Sequence, residues 1–167
     1  FIHVLGSQEE QSLPGESENG IHYIDNQTVR LVLHAPGKEN VFVIGDFNDW
    51  TPRSDARMLR DNEHWWITLN GLEPGKEYAF QYLVDGVLRI ADPYTEKVLD
   101  PWNDRWISSE TYPDLKPYPS EYTSGVTSVL QTGQASYTWQ NASFTPPPKE
   151  DLVIYELLVR YFIAAHD

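Results

Sequence analysis

Carboxylates are the first groups to test for chemistry, because 25 acidic side chains against 12 basic ones leave this 167-residue chain at a formal net charge of -13. A glycosidase-type acid/base pair needs two carboxyls roughly 5–9 Å apart across a cleft. Asp46, Asp49 and Asp55 are the most clustered, but they fall just after an apolar run, where aspartates serve as solvated turn or cap residues. His3, His22, His34, His64 and His166 show neither HxxH nor HExxH spacing, so no helix face pairs two imidazoles for zinc. The chain has no cysteine, which excludes disulfides and thiolate-held metals. It has no GxSxG elbow and no glycine-rich phosphate loop. Asp92, Asp100 and Asp104 carry oxygen ligands suited to calcium, at a spacing that matches no known calcium loop. No set of residues in the chain composes a catalytic site.

Aromatic residues are the stronger signal: six Trp, ten Tyr and six Phe. Sugars present flat C–H faces that stack on exposed rings, while their hydroxyls bond to neighbouring polar groups. Trp50 follows GDFND at a turn and admits three readings. It is a plug closing the end of a sandwich, a stacking platform for sugar, or a contact with a partner domain. Trp65 and Trp66 are adjacent, so in a strand they point to opposite faces, one into the core and one at least partly outside. Trp102, Trp106, Tyr112 and Trp139 lie in a proline-punctuated stretch and read as surfaces for packing on a neighbouring domain.

The elements that must position these residues are short. TVRLVLHAP (28–36), NVFVIGDF (40–47), HWWITLNGL (64–72), EYAFQYLVDG (77–86) and VLRIADP (87–93) are apolar runs broken by Gly and Pro. Tyr78, Phe80, Tyr82 and Val84 alternate with other residues, the period of a strand. Asp85-Gly86 is a hairpin signal, and Pro36-Gly37 and Pro74-Gly75 mark further turns. This spacing predicts a β-sandwich. Hydrophobic residues make up 40% of the chain, enough for a core. The acidic balance repels phosphate backbones and anionic membrane surfaces, so nucleic acid is excluded as a partner. No stretch approaches the roughly 18 apolar residues of a spanning helix.

Residues 1–20 read as a linker or exposed approach, and 108–150 as an extended wrapping segment rich in Pro and aromatics, in which GVTSVLQT (125–132) could add a strand. LVIYELLVRYF (152–162) is a dense apolar run whose type, strand or helix start, periodicity does not decide. Such a run at the end of the chain is expected to continue into a sheet that lies downstream. Asn26-Gln27-Thr28 and Asn141-Ala142-Ser143 match the glycosylation triplet, which matters only in a eukaryotic secretory pathway.

VFVIGDFNDW (41–50), GLEPGKEYAFQYLVDG (71–86) and ADPYTEKVLDP (91–101), in this order, resemble the family 48 carbohydrate-binding-like N-terminal module of α-amylase superfamily (glycoside hydrolase family 13) enzymes. The resemblance implies an all-β, immunoglobulin-like early-set sandwich over residues 21–107, with an aromatic and proline-rich C-terminal segment. DLVIYELLVRYF (151–162) resembles the first strand of the same superfamily's catalytic barrel, with Tyr161 where aspartate is usual. Residues 151–167 are therefore expected to begin a (β/α)8 barrel, which needs about 250 residues. The family's catalytic residues lie on later strands, so the resemblance assigns no catalytic residue here. It implies a retaining α-glucan hydrolase for the whole protein, with no cofactor in this part, calcium an option for the full enzyme, and a periplasmic or secreted setting allowed. Residue by residue, Trp50 matches a sugar-stacking tryptophan and Asn103 loosely matches a hydrogen-bonding asparagine. Gln81 stands where the glucan binders carry lysine, and Leu88 where they carry a second tryptophan. One ring and one cation are thus missing, and aromatic anchors dominate such interfaces. The resemblance then implies a non-catalytic companion packing on its own downstream barrel. An autonomous glucan-binding module centred on Trp50, and an immunoglobulin-like interaction module, are the alternatives.

Overall fold

The computed structural model describes residues 8–15, 18–141 and 143–157. They form two compact units divided at Ala135 and Ser136. The first holds nine antiparallel strands in two sheets and, among the described residues, no α-helix. β1 (Gly20–Tyr23), β2 (Val29–His34), β5 (His64–Leu69) and β4 (Leu59–Asp61) pair in the order β1-β2-β5-β4. The second sheet runs β3 (Val41–Gly45), β6 (Glu77–Val84), β9 (Thr127–Gln131), β8 (Lys97–Leu99). β7 (Leu88–Ile90) pairs with the distal half of β6, where Tyr82 faces Ile90, and β9 pairs with the proximal half, where Tyr78 faces Leu130.

Alternation along the strands makes the core. Val29, Leu31 and Leu33 of β2, Trp65 and Ile67 of β5, and Val41 and Val43 of β3 join Tyr78, Phe80, Tyr82 and Val84 of β6 in one buried cluster. This is the immunoglobulin-like sandwich expected from the spacing of the strands. Asp85 and Gly86 both have positive φ, 50° and 71°, which is the conformation the Asp-Gly signal calls for. The Asp85 carboxylate also accepts the backbone N–H groups of Glu39 and Asn40, at 2.9 and 3.1 Å, tying the hairpin to the start of β3.

Chain outside the strands also packs against both sheets, and this moves two expected boundaries. The stretch read as a linker at 1–20 is in part bonded to the edge strand β4: Arg60 N–H donates to the Glu9 carbonyl and Gln11 N–H to the Arg60 carbonyl. Trp65 and Trp66, of which one was expected at least partly outside, are both buried, at 0% and 5% exposure, and Trp66 Nε1–H donates to the Gln11 carbonyl at 2.9 Å. The sandwich also does not close at residue 107. β9 sits between β6 and β8, so the first unit extends to Ala135 and residues 108–126 form a long excursion within it. A lone strand cannot satisfy its ladder, so β8 requires β9 beside it.

In the second unit, Lys149–Asp151 is a short 3-10 turn. Residues 152–157, the described half of the expected barrel strand, have no regular structure, and Val153 and Ile154 are 95% and 87% exposed. The other half, with Tyr161, lies outside the described residues. A strand forms only against a neighbour, and none pairs with 152–157 among the described residues.

Candidate functional site

Trp50, the expected stacking ring, and Gln81, which stands where the glucan binders carry lysine, both lie on the outer face of the β3-β6-β9-β8 sheet. On β6 the residues between the core aromatics, Ala79, Gln81 and Leu83, point to this face. Phe42 and Ile44 of β3, Leu99, Val129 and Trp50 complete a second apolar cluster with Ala79 and Leu83.

The GDFNDW turn carries Trp50 there. Asp46–Asn48 makes one 3-10 turn. Asn48 is buried, and its side chain accepts Gly45 N–H at 2.9 Å and donates to the Val43 carbonyl at 2.9 Å. Asp49 and Trp50 then take left-handed backbone conformations, φ 53° and 55°. A bulky residue there is a strained exception, of order 1–3 kcal/mol, that its surroundings must hold in place. They do: Trp50 N–H donates to the Gly45 carbonyl, and its Nε1–H donates to Asp46 Oδ1 at 3.1 Å. Asp46 is the hub of the turn, since its other oxygen accepts Ala79 N–H at 2.9 Å and pairs with Lys116 at 2.9 Å. It is neither a catalytic nor an idle solvated carboxylate.

The face is not open. Leu115 and Tyr118 pack on the apolar cluster, and Tyr122 lies parallel to Trp50. Gln81 Nε2 donates to the carbonyls of Ser124 and Val126 at 3.2 and 2.8 Å, and its Oε1 accepts the Thr123 hydroxyl. Arg89 donates to the Tyr122 carbonyl at 2.8 Å, and Tyr118 to the Gly125 carbonyl at 2.7 Å. Residues 115–126 are thus a strap bonded at several points. Trp50 is 6% exposed and Gln81 1%, so neither offers a free face or a free amide to a sugar here. Of the three readings of Trp50, the plug describes its place, although it seals the outer face of one sheet and not the end of the sandwich. Gln81 is corrected from a sugar contact to the anchor of the strap.

Asn103 lies in the turn after β8. Its Nδ2 donates to Asp100 Oδ2 at 2.6 Å, and the N–H groups of Trp102 and Asn103 donate to Asp100 Oδ1. These bonds, the Asn103 side chain first, hold the Asp100 carboxyl below its ordinary range. Asp104 accepts the Asp100 N–H at 2.9 Å. Among the described residues no hydrogen bond or ring contact joins Asn103 to Trp50 or Gln81. This turn leaves Trp102 59% and Trp106 76% exposed. Tyr112, also expected to pack on a neighbour, accepts a hydrogen bond from Lys97 at 2.8 Å and stays partly exposed. Trp139, in the second unit, is 74% exposed.

The three aspartates considered for calcium have partners within the chain. Asp100 and Asp104 cap their own turn, and Asp92 is buried under Tyr82, whose hydroxyl donates to it at 2.6 Å. Among the described residues no group of three His, Asp or Glu converges as a metal site. What the strand pattern could not reveal is the strap itself. Lys116, Tyr122 and Thr123 sit in irregular chain, and only the aromatic richness of 101–150 pointed to packing there.

Residues 18–103 match the model of the family described as carbohydrate-binding module 48, the isoamylase N-terminal domain. The chain is 31% identical over 134 residues to the 1,4-alpha-glucan branching enzyme of Photobacterium profundum, covering 77% of this chain and 16% of that one. It is 33% identical over 86 residues to the branching enzyme of Clostridium perfringens, covering 47% of this chain and 13% of that one. The chain therefore spans less than a fifth of either relative. Among solved structures, the pullulanase of Paenibacillus barengoltzii in complex with maltohexaose and alpha-cyclodextrin is 26% identical, with a TM-score of 0.39 over 53% of this chain and 14% of that one. The matched stretch takes in the GDFNDW turn, the β6 alternation and the Asp100 turn, and this chain belongs to the carbohydrate-binding module 48 family.

Proposed function

We propose that this chain is the non-catalytic accessory part of an enzyme acting on α-glucans, and that it serves by packing on the catalytic portion. One contrast carries the reading. The sheet face bearing Trp50 and Gln81 is filled by the chain's own strap, whereas Trp102 and Trp106 stand on the surface at 59% and 76% exposure. Two large rings exposed within one turn suit packing on a partner surface. The exposed run of Val153, Ile154 and Tyr155 adds to this, since such residues suit a buried strand. The branching-enzyme relatives supply the α-glucan class.

The test uses the enzyme that carries this module and the 167-residue chain side by side. The chain alone is expected to release no reducing ends from amylose and to transfer no branches, while the longer enzyme does one or the other. In the longer enzyme, W102A with W106A is expected to lower the melting temperature of the catalytic portion. The same pair in the isolated chain should leave its melting unchanged. An equal loss in both, or an enzyme inert on every α-glucan, overturns the proposal.

A further inference from the structure

Outside the family match, the second unit holds an open cleft of about 440 Å³ lined by Tyr137, Trp139, Gln140, Asn141 and Phe144. That is within the size range of small-molecule sites. The rings of Tyr137 and Trp139 meet edge to face, 4.8 Å between centroids and 80° between planes. Tyr137, Trp139 and Phe144 are 72%, 74% and 73% exposed. The triple proline at 146–148 follows at once and stiffens the chain beyond the cleft.

The chemistry of the lining selects its ligand. Among the described residues no Asp, Glu, Lys, Arg or His lines the cleft. An anion would find no cation there and would meet a chain of net charge -13. A quaternary ammonium suits an aromatic cage, but it would leave the amide donors of Gln140 and Asn141 unused. A pyranose uses every group. Its flat C–H face stacks on one ring while the second ring, set at a right angle, forms a wall. Its hydroxyls both donate and accept, as do the two carboxamides.

We propose that Tyr137, Trp139, Gln140, Asn141 and Phe144 form a carbohydrate-binding site for a neutral α-1,4-glucan segment, separate from the sheet face that carries Trp50. Trp139 thereby becomes a sugar platform instead of a surface for the neighbouring barrel. The choice of an α-glucan over another neutral glycan rests on the accessory reading above; the pyranose chemistry does not.

The test is calorimetric titration of the whole chain with maltoheptaose, cellohexaose and choline, on the native protein and on W139A and Y137A. Both side chains are exposed; unchanged melting of the β-sandwich shows that the first unit is intact, and Q140A, which keeps the ring pair, tests the cleft in the second unit without removing a ring. Saturable maltoheptaose binding is expected, weakened in Q140A and at least about tenfold in each ring variant, as for an aromatic anchor. No saturable binding at millimolar sugar overturns the site, and so does binding that all three variants retain. Choline binding without sugar binding overturns the ligand class. Cellohexaose binding that W139A abolishes, with none of maltoheptaose, overturns the α-glucan assignment. Activity of the longer enzyme on amylose is read separately. If it is present while the cleft fails, the site falls and the accessory reading stands.

Discussion

The ring planes of Trp50 and Tyr122 are 9° from parallel with centroids 6.5 Å apart, and Tyr122 is the half-exposed member of the pair. Tyr122 is therefore the solvent-facing ring beside Trp50. Y122A is expected to cost about 1 kcal/mol, the range of an aromatic pair, and to leave the fold intact. With 5-fluorotryptophan in the chain, the Trp50 fluorine resonance should become accessible to a soluble paramagnetic quencher, while that of buried Trp65 does not. An unchanged Trp50 signal would mean that the rest of the strap is the true cover. A new maltoheptaose binding event in Y122A would restore Trp50 as a platform. W50A cannot decide this, because emptying that site costs about 3–5 kcal/mol of packing and would disturb binding indirectly.

Gly45 illustrates a different constraint in the same motif. Its backbone is extended, φ 178°, so no left-handed conformation demands glycine. Space does: a Cβ there would fall against the Ala79 carbonyl oxygen and lie 2.8 Å from Phe80 Cβ on the paired strand. Backbone cannot yield as a side-chain tip can. G45A is expected to destabilise by about 3 kcal/mol, the upper part of the overpacking range, measured by urea unfolding. A loss below about 1 kcal/mol would show that β3 and β6 can separate locally.

These two residues mark where the sequence was legible. The alternation of Tyr78, Phe80, Tyr82 and Val84 is a period-2 signal, and β6 sits at the centre of its sheet as that signal requires. β1, β4 and β8 have three or four residues each, too short for any period, and their place is set by their ladders with β2, β5 and β9. The GDFNDW motif located Trp50 but not its burial. Burial depends on contacts such as Lys116 with Asp46 and Thr123 with Gln81, which link distant stretches of chain and follow no local rule. Gln81 was read by position against a family pattern, and only the strap shows what its amide does.

Asn103 tests whether a positional match is structural. Its side chain is the first cause of the lowered Asp100 carboxyl, followed by the Trp102 N–H. A carboxyl depressed in the folded state adds stability above its unfolded value, about 3.9, which is lost as pH falls through the lower folded value. N103A should raise the Asp100 value toward the ordinary range, read from its carboxyl resonance. It should also reduce that added loss at acid pH, the Trp102 and Asn103 N–H groups keeping the remainder. Maltoheptaose affinity should not change. A fall in affinity with an unmoved Asp100 titration would reinstate Asn103 as a sugar contact.

Asp92 presents the opposite sign. Burial is the first cause that pushes its carboxyl above the ordinary range, and the Tyr82 hydroxyl, the Tyr94 N–H and His22 oppose it. The Asp92 N–H donates to Ser128 Oγ at 2.6 Å and the Tyr94 N–H donates to Asp92 Oδ1 at 2.7 Å, so the residue ties the chain after β7 to both β6 and β9. The folded state holds the proton more tightly than the unfolded one. The Asp92 contribution to stability therefore falls as pH rises from about 3.9 through the raised folded value. Every other carboxylate is common to native protein and D92N, so their difference isolates this group. The native protein should lose stability relative to D92N across that window and run parallel to it at higher pH. Y82F removes the strongest opposing bond and leaves a buried charge short of a donor. It should cost about 2–3 kcal/mol at neutral pH, and less where Asp92 is protonated. Urea unfolding at a series of pH values reads both. A Y82F loss that does not vary with pH would mean that the hydroxyl serves packing alone and that the charge on Asp92 is stabilised by other groups.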